Sequence, residues 1–316
     1  MKKILCFVLA AIMCVALVSC TGNTGSSKIL FVTGGEQGTY YAYGGTIATA
    51  INNNCENITV NAQTSGGSKA NLLSIDAGDA TMAFVQNDVM SYAYNGTDLF
   101  TEEGAIKSFS VLAAMYPETC QIVSTADIKS IEDLNGKTVS VGDAGSGVEF
   151  NARQILAAYG ITFDDINATN MSFGDSADAL KNGKIDAFFC TAGDPTTAIV
   201  DLATTNSINL LNVDDEHIAL LQADYPFYAK RVIAAGTYNG VDEDVQTVAI
   251  KATLVVANNL DEEVVYEITK TIFENKDSIT HDKASFIDTE YATTDLGGVP
   301  LHAGAEKYFK EIGVIG

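Results

Sequence analysis

A local pattern that recurs along the chain most constrains its fold: a short β-like run, then a loop rich in glycine and hydroxyl residues, then a helix-period segment. In the first copy, residues 28–33 lead through GGEQGT into a helix with Tyr43, Ile47 and Ile51 on one face. Residues 58–62 then lead through QTSGGS into a helix near 69–77, and residues 80–85 lead into a helix near 89–94. Such alternation predicts an α/β fold built on parallel strands.

The same unit returns in the second half of the chain. Residues 137–141 run into GDAGSG and then into a helix whose apolar stripe ends at Gly160. Residues 185–189 run into CTAGD, and Pro195 is expected to open the helix that follows, at a position where its missing N–H costs nothing. The repeat therefore predicts parallel strands in both halves.

Two longer β-like segments, 109–123 and 246–257, separate these groups of units. We interpret them as hinge strands that cross between two lobes, because a chain of this length exceeds one typical domain. The predicted lobe 1 comprises residues 29–118 and 248–316, and the predicted lobe 2 comprises residues 119–247. A helix capped by Asp261 and a final helix near 303–312 are expected to pack on lobe 1.

The N-terminus has the features of a secretion signal. Lys2 and Lys3 precede an apolar run that is too short to span a bilayer, and Ser19-Cys20 follows it. Residues 1–19 are predicted to be a lipoprotein signal peptide, Cys20 the lipid attachment site, and residues 20–28 a flexible tether. The alternative is an ordinary signal peptide with an incidental cysteine. The first hypothesis places the protein outside the cytoplasm, held at the cell membrane only by its N-terminal lipid.

Charge and cysteine content exclude several classes of protein. The formal net charge of −22 argues against nucleic-acid binding, which requires a basic surface. Cys55, Cys120 and Cys190 lack C-x-x-C spacing and do not indicate a disulfide framework. They are either three small buried apolar residues or include one disulfide pair.

The loops after the strands form the candidate site, because the carboxyl ends of parallel strands and the N-termini of the following helices meet at one edge of the sheet. These loops are 34–41, 64–68, 86–88, 143–149 and 191–195. They carry few cations, so backbone N–H groups are expected to meet any ligand charge. The alternatives stay open: the glycines can serve turn geometry, Asn87 and Ser146 can be helix caps, and Tyr40 and Tyr41 can be core aromatics.

The sequence contains no recognisable catalytic or metal-binding pattern. His217, His281 and His302 are far apart in sequence and lack metal-ligand spacing, and no nucleophile elbow or phosphate-binding loop occurs. Arg153 lies two turns into its predicted helix, where it is expected at the surface or between lobes. We therefore predict no catalytic residue, metal or cofactor. An enzyme on the same two-lobed fold, with Cys190 or Asp143 as its reactive group, remains one rival, and a ligand-sensing surface lipoprotein is another.

Six segments in this order resemble the TAXI family of solute receptors, the binding subunits of one class of tripartite ATP-independent periplasmic (TRAP) transporters. The segments are TGGEQGTYYAYGG, QTSGGSKANLLSIDAGDATMAFVQNDVMSYAYNG, LNGKTVSVGDAGSGVEFNARQIL, KIDAFFCTAGDPTTAI, VVYEITKTIFEN and PLHAGAEKYFKEIG. The resemblance implies a type II periplasmic-binding-protein-like fold of two lobes, without catalysis. It also implies capture of a small anionic or zwitterionic solute, such as glutamate, glutamine or a related carboxylate, for TRAP permease subunits in the membrane.

The resemblance also implies a set of pocket residues. They are Gly38, Thr39, Tyr40, Ser65, Gly66, Gln86, Asn87, Ser146, Gly147, Ala192 and Gly193. The chain departs from the family pattern at Ala42, where members commonly have proline, and this departure is expected to alter pocket shape and ligand choice.

Overall fold

The computed structural model describes residues 26–316, so the predicted signal peptide, Cys20 and most of the predicted tether lie outside the described part. Residues 26–316 form ten strands: β1 (Ser27–Val32), β2 (Ile58–Gln63), β3 (Met82–Gln86), β4 (Phe109–Thr125), β5 (Thr138–Ser140), β6 (Asn167–Thr169), β7 (Ala187–Ala192), β8 (Ile208–Leu210), β9 (Ala229–Ile233) and β10 (Val245–Ala257).

The same residues form ten α-helices: α1 (Thr39–Asn54), α2 (Ser68–Asp76), α3 (Asn87–Asn95), α4 (Gly147–Ala158), α5 (Phe173–Lys181), α6 (Thr197–Thr205), α7 (Asp215–Asp224), α8 (Glu262–Glu274), α9 (Thr289–Thr293) and α10 (Ala303–Glu311). Within 26–316, no helix has the length and apolar character needed to cross a membrane.

All strands belong to one mixed sheet in the order β2-β1-β3-β10-β4-β7-β5-β6, with β8 and β9 added beside β4 and β10. Strands β2, β1 and β3 are parallel at one end, and β6, β5 and β7 are parallel at the other. The predicted α/β fold with parallel strands is thus confirmed. The sequence did not indicate that the two parallel groups share a single sheet.

Antiparallel strands β4 and β10 join the two groups, and each strand extends through both halves. Their register runs from Ala249 opposite Thr119 to Ala257 opposite Phe109. One end of β10 pairs with β3, while the other end pairs with β9. Strand β4 likewise continues past the crossing and pairs with β7 through residues 119–124. These are the two hinge strands, and the parallel groups on either side define lobe 1 (β1–β3) and lobe 2 (β5–β7).

Each lobe has its own apolar core. In lobe 1, Tyr43, Ile47 and Ile51 of α1 are fully buried, so the predicted helix face is confirmed. Tyr308 and Phe309 of α10 belong to the same core, which confirms the expected packing of the last helix on lobe 1. Lobe 2 builds a separate core around α4, β5 and β7. The residue ranges assigned to the two lobes from the sequence, 29–118 with 248–316 and 119–247, remain a prediction.

Local details correct one expectation and confirm another. Pro195 does not open α6, because the helix begins two residues later, after its N-cap Thr196. Asp261 does cap α8, since its carboxylate accepts hydrogen bonds from the N–H groups of Glu263 and Val264. Cys55, Cys120 and Cys190 are all free thiols, which excludes a disulfide between them in this structure.

Candidate functional site

A crevice of about 470 Å³ opens between the lobes, next to the hinge strands. Its wall contains residues from both lobes: Gly34, Gly35, Glu36, Gln37, Gly38, Thr39, Tyr40, Thr64, Gly66, Gly67, Ser68, Gln86, Glu118, Asp143, Ser146, Gly147, Val148, Ser172, Phe173, Gly174, Asp175, Asp178, Thr191 and Ala192. The volume lies in the range of about 300–1,000 Å³ that is typical of small-molecule pockets.

Two helices of lobe 1 point uncapped N-termini at this crevice. Gly38 precedes α1 and Gly67 precedes α2, and neither helix has a side-chain hydrogen bond at its N-cap. Gly67 has a φ of +92°, a conformation that favours glycine and brings the backbone close to the opposite lobe at Ser146. The first N–H groups of a helix lack intrahelical partners and favour negative charge, so these two ends can bind a carboxylate.

Gln86 and Gly147 face each other across the crevice. Gln86 ends β3 in lobe 1, whereas Gly147 is the first residue of α4 in lobe 2. A Cβ placed on Gly147 would overlap the side-chain amide of Gln86, so a larger residue at this position requires the end of the Gln86 side chain to move. The side-chain oxygen of Gln86 is buried and has no hydrogen-bond partner among the described residues, which leaves one acceptor free at the crevice.

Glu118 provides the deepest charged group of the crevice, on β4 where that strand crosses between the lobes. The Tyr40 hydroxyl donates a 2.6 Å hydrogen bond to Oε2, and the Tyr116 hydroxyl lies 3.4 Å from Oε1. Tyr40 is held by stacking on Phe84, with ring centroids 4.8 Å apart. Burial is the main reason why the pKa of Glu118 is raised to about 8, and the hydrogen bond from Tyr40 opposes that shift.

The remaining ionisable side chains of the wall are acidic. Glu36, Asp175 and Asp178 are exposed at the rim, and Asp143 is half-buried. Burial, followed by the charge of Asp175, raises the pKa of Asp143. The residues that line the crevice include no lysine, arginine or histidine. Electrostatically, the crevice therefore combines acidic side chains with backbone N–H donors.

Direct hydrogen bonds connect the lobes on either side of the crevice. The Gly193 N–H donates a 3.0 Å hydrogen bond to Oγ1 of Thr39. On the other side, Nδ2 of Asn151 on α4 donates to Asp88 on α3 over 3.1 Å. Burial raises the pKa of Asp88 to about 7, although the hydrogen bond from the Val89 N–H opposes the shift. The structure thus represents a conformation in which the lobes touch.

The structure brings eight of the eleven predicted pocket residues together in the crevice wall. These are Gly38, Thr39, Tyr40, Gly66, Gln86, Ser146, Gly147 and Ala192. Ser146 is also the N-cap of α4 and accepts from the Glu149 N–H, so the capping alternative applies to it as well. Tyr40 is a buried aromatic residue as well as a wall residue, whereas Tyr41 is 37% exposed and lies outside the wall.

Ser65, Asn87 and Gly193 do not line the crevice. The Ser65 hydroxyl accepts from the Gly67 N–H at 3.3 Å and stabilises the turn before α2. Asn87 accepts a 3.0 Å hydrogen bond from the Lys251 N–H of β10. Gly193 is engaged with Thr39 across the interlobe contact. All three residues are chain neighbours of wall residues but do not line the crevice themselves.

Sequence reasoning missed Glu118 and the segment from Ser172 to Asp178. Glu118 sits inside a long β-like run, where an isolated acidic residue next to Pro117 was the available signal. The segment from Ser172 follows β6, which has only three residues and no apolar run, so the strand could not be recognised. Phe173 and Gly174 begin α5 there and close the lobe 2 side of the crevice.

Cys190, the three histidines and Arg153 do not line the crevice. Cys190 is fully buried in the core of lobe 2, and burial raises the pKa of its thiol. His281 and His302 serve as helix caps, and His217 pairs with Asp214 at 2.7 Å on the surface. Arg153 is also on the surface, 3.6 Å from Glu149. Within residues 26–316, no cluster of metal-ligating side chains is present.

Solved structures share this architecture. They include the alkanesulfonate-binding protein SsuA from Xanthomonas axonopodis pv. citri, with a TM-score of 0.50, 12% identity and coverage of 90% of this chain and 84% of that chain. A protein from Bordetella bronchiseptica RB50 gives a TM-score of 0.55 at 15% identity over 90% and 81% of the two chains. The ligand-binding component of an ABC-type import system from Staphylococcus aureus gives 0.51 at 11% identity over 92% and 93%.

The fold and the interlobe crevice define the class: a two-lobed α/β protein with the periplasmic-binding-protein-like fold, the architecture of solute-binding proteins. Residues 31–313 match the NMT1-like family. The chain belongs to that family.

Proposed function

We propose that this protein is an extracytoplasmic solute-binding receptor, which captures a small carboxylate or amino acid of the glutamate or glutamine type between its lobes. In this proposal it is the TAXI-type receptor of a TRAP transporter and delivers the solute to the membrane permease. The supporting observation is the interlobe crevice, in which the uncapped N-termini of α1 and α2 face residues of lobe 2.

The geometry of the crevice suits a small polar ligand. Backbone N–H groups in the first turns of α1 and α2 and hydroxyls at Ser68 and Ser146 can bind a carboxylate without a cationic side chain. The cavity volume is enough for a ligand of amino-acid size and too small for a polymer. Enclosure by both lobes removes the solute from water, which strengthens each of these hydrogen bonds.

Lobe closure provides the signal for delivery. The hinge strands β4 and β10 are continuous through both lobes, so a bend near Glu118 and Ile250 would open the crevice without breaking either lobe. Closure is favoured by the solute only to the extent that it contacts the closed form better than the open form. A permease that recognises the closed form would then take up loaded receptors selectively.

The sequence supports the choice of a TRAP transporter over other transporters. The six segments that resemble TAXI receptors lie in order along the chain, and this resemblance is what favours a TRAP transporter. The predicted lipid at Cys20 would keep the receptor of any transporter beside its permease. A sensory surface lipoprotein would need the same crevice but no permease. An enzyme would need a reactive group in the crevice, where Asp143 lacks a basic partner in the wall.

Isothermal titration calorimetry with a panel of amino acids and dicarboxylates tests capture of the solute. At least one compound is expected to bind with micromolar or tighter affinity and to raise the melting temperature. If no compound binds and the melting temperature never changes, the proposed capture is wrong.

Reconstitution tests delivery to a TRAP permease. Proteoliposomes that contain a TRAP permease from the same organism should accumulate the bound solute when the receptor and an ion gradient are supplied, without ATP. Binding without any receptor-dependent uptake would instead favour the sensory role. Uptake that requires ATP would replace the TRAP assignment with an ATP-driven transporter.

A further inference from the structure

The side-chain charge of the crevice is entirely acidic. Its wall contains five carboxylate residues contributed by both lobes and by the hinge, and no cationic residue: Glu36, Glu118, Asp143, Asp175 and Asp178. A ligand that carries only negative charge would meet this field at short range, and like charges in a partly desolvated pocket repel strongly.

Cations on the surrounding elements are engaged elsewhere. Lys69 on α2 forms a 2.8 Å ion pair with Glu103, and Arg231 pairs with Asp194 at 3.2 Å. Lys283 donates a 2.6 Å hydrogen bond to the carbonyl of Asp194, behind the wall. These side chains are therefore committed to other partners and do not neutralise the crevice.

Two acceptors inside the crevice lack a positively charged or N–H partner. Glu118 is 2% exposed and receives hydrogen bonds from the hydroxyls of Tyr40 and Tyr116. Gln86 is also 2% exposed, and its side-chain oxygen has no partner among residues 26–316. A buried carboxylate without a cationic or N–H partner and a buried amide oxygen without a donor are each costly unless a ligand supplies donors.

We infer that the captured solute carries a protonated amine that pairs with Glu118, and that its net charge is zero or positive. This inference rests on the proposed function and narrows it to zwitterionic or cationic amino compounds. The carboxylate of such a solute would bind at the helix N-termini, and its ammonium group would bind at Glu118. Glutamine then fits better than glutamate, and dicarboxylates without an amine are rejected.

Pairing of an ammonium group with Glu118 would make the solute affinity depend on pH. Burial raises the pKa of Glu118 to about 8, so the empty site is mainly protonated at pH 6.5. An ammonium group favours the carboxylate, so amine binding releases a proton, and affinity should rise by up to about tenfold per pH unit towards pH 8. An anion bound by protonated Glu118 would give the opposite slope. The titratable groups that face Glu118 are Tyr40, Asp88, Tyr116, Cys120, Cys190 and Tyr291.

Calorimetry with matched compounds tests the inference on the wild-type protein. Each amino acid is compared with its analogue without the amine, at pH 6.5, 7.5 and 8.5, in buffers with different ionisation enthalpies. Amino acids are expected to bind at least about tenfold more tightly than their analogues, with proton release at pH 6.5. If the analogues bind equally well, or if protons are taken up, the inference is overturned while solute capture stands. If no compound binds, both fail.

Glu118→Gln provides the second test. It retains the acceptor for Tyr40 but removes the charge, so amine binding should weaken at least about tenfold and lose its pH dependence. Glu102→Gln, on the exposed surface, is the matched control and should change neither property. Thermal denaturation establishes that Glu118→Gln is folded. Unchanged affinity and pH dependence in the folded variant would contradict the pairing.

Discussion

The side-chain amide of Gln86, on lobe 1, packs directly against the backbone of Gly147, the first residue of α4 on lobe 2. No room remains for a Cβ at position 147. The contact links the end of a strand in one lobe to the start of a helix in the other, so a methyl group at position 147 would require the Gln86 side chain to shift or the lobes to move apart.

Gly147→Ala should weaken solute binding by about tenfold, because the added methyl group pushes the Gln86 side chain away or holds the lobes apart. The change should leave the melting temperature of the unliganded protein nearly unchanged, since alanine is acceptable in the first turn of a helix. Titration calorimetry and small-angle scattering measure the two effects. If the variant has the same solute affinity as the wild type, and the same overall dimensions when the solute is bound, lobe closure tolerates the methyl group.

Thr39→Val should shift the lobes towards the open form. The hydroxyl of Thr39 accepts a 3.0 Å hydrogen bond from the Gly193 N–H across the interlobe contact, and valine leaves that donor unpaired. The expected cost is about 1–2 kcal/mol of closure, which corresponds to roughly a five- to thirtyfold loss of affinity. Thr49→Val is the control, because that hydroxyl bonds within α1 to Gly45. Equal losses of affinity in both variants would indicate that valine destabilises α1, not that the interlobe hydrogen bond is lost.

Asp88→Asn should flatten the pH dependence of stability. Burial raises the pKa of Asp88 to about 7 in the folded protein, above its ordinary value. The group therefore contributes stability that is fully present below about pH 4 and is lost as the pH rises to 7, on the order of 4 kcal/mol. Urea unfolding from pH 4.5 to 7.5 measures the slope.

The Asp88→Asn variant should fold. The buried side-chain oxygen of Asn151 has no hydrogen-bond partner among the described residues, and after a flip of the Asn151 amide it can accept a hydrogen bond from the new side-chain amide at position 88. Asp242→Asn, on the exposed surface, should retain the wild-type slope. A slope that persists unchanged in Asp88→Asn would assign the pH dependence to other groups, with Glu118 as the first candidate.

Cys20→Ser should release the protein from the cell membrane. Lipid chains on Cys20 would provide the membrane affinity, at about 0.8 kcal/mol per buried methylene group. Fractionation of cells that express the wild type or the variant tests this, with mass spectrometry of the N-terminal peptide. Cys14→Ser, within the predicted signal peptide, is the control. A wild-type protein that is cleaved and unacylated would support the alternative of an ordinary signal peptide.

Several parts of the fold followed from local patterns. The helix face with Tyr43, Ile47 and Ile51 and the cap at Asp261 were predicted because periodicity and capping act within a few residues. Strand β6 was missed because an exposed three-residue strand leaves no apolar pattern. The position predicted for Pro195 was wrong because Thr196 is the N-cap of α6, which leaves Pro195 before the helix rather than within it.

The candidate site also contains parts that local sequence patterns could predict and parts that they could not. The loops that contain Gly38 and Gly147 could be predicted because glycines between a strand and a helix mark places where backbone N–H groups are exposed, while the family resemblance implied these two residues individually. Glu118 could not, since its burial results from the pairing of β4 with β10 and from the approach of Tyr40, which is 78 residues away in sequence. Asn87 was assigned to the wall although its side chain bonds to Lys251 on a hinge strand.

The sequence by itself determined the alternation of strands and helices, the glycine-rich turns at the strand ends and the acidic character of the chain, since these depend on neighbouring residues and composition. The tertiary structure decided that the two parallel groups share one sheet, that Gln86 meets Gly147, and that a carboxylate from β4 lies within the crevice. Such relationships are set by packing between residues far apart in sequence. A local pattern carries no information about which distant surfaces will bury each other.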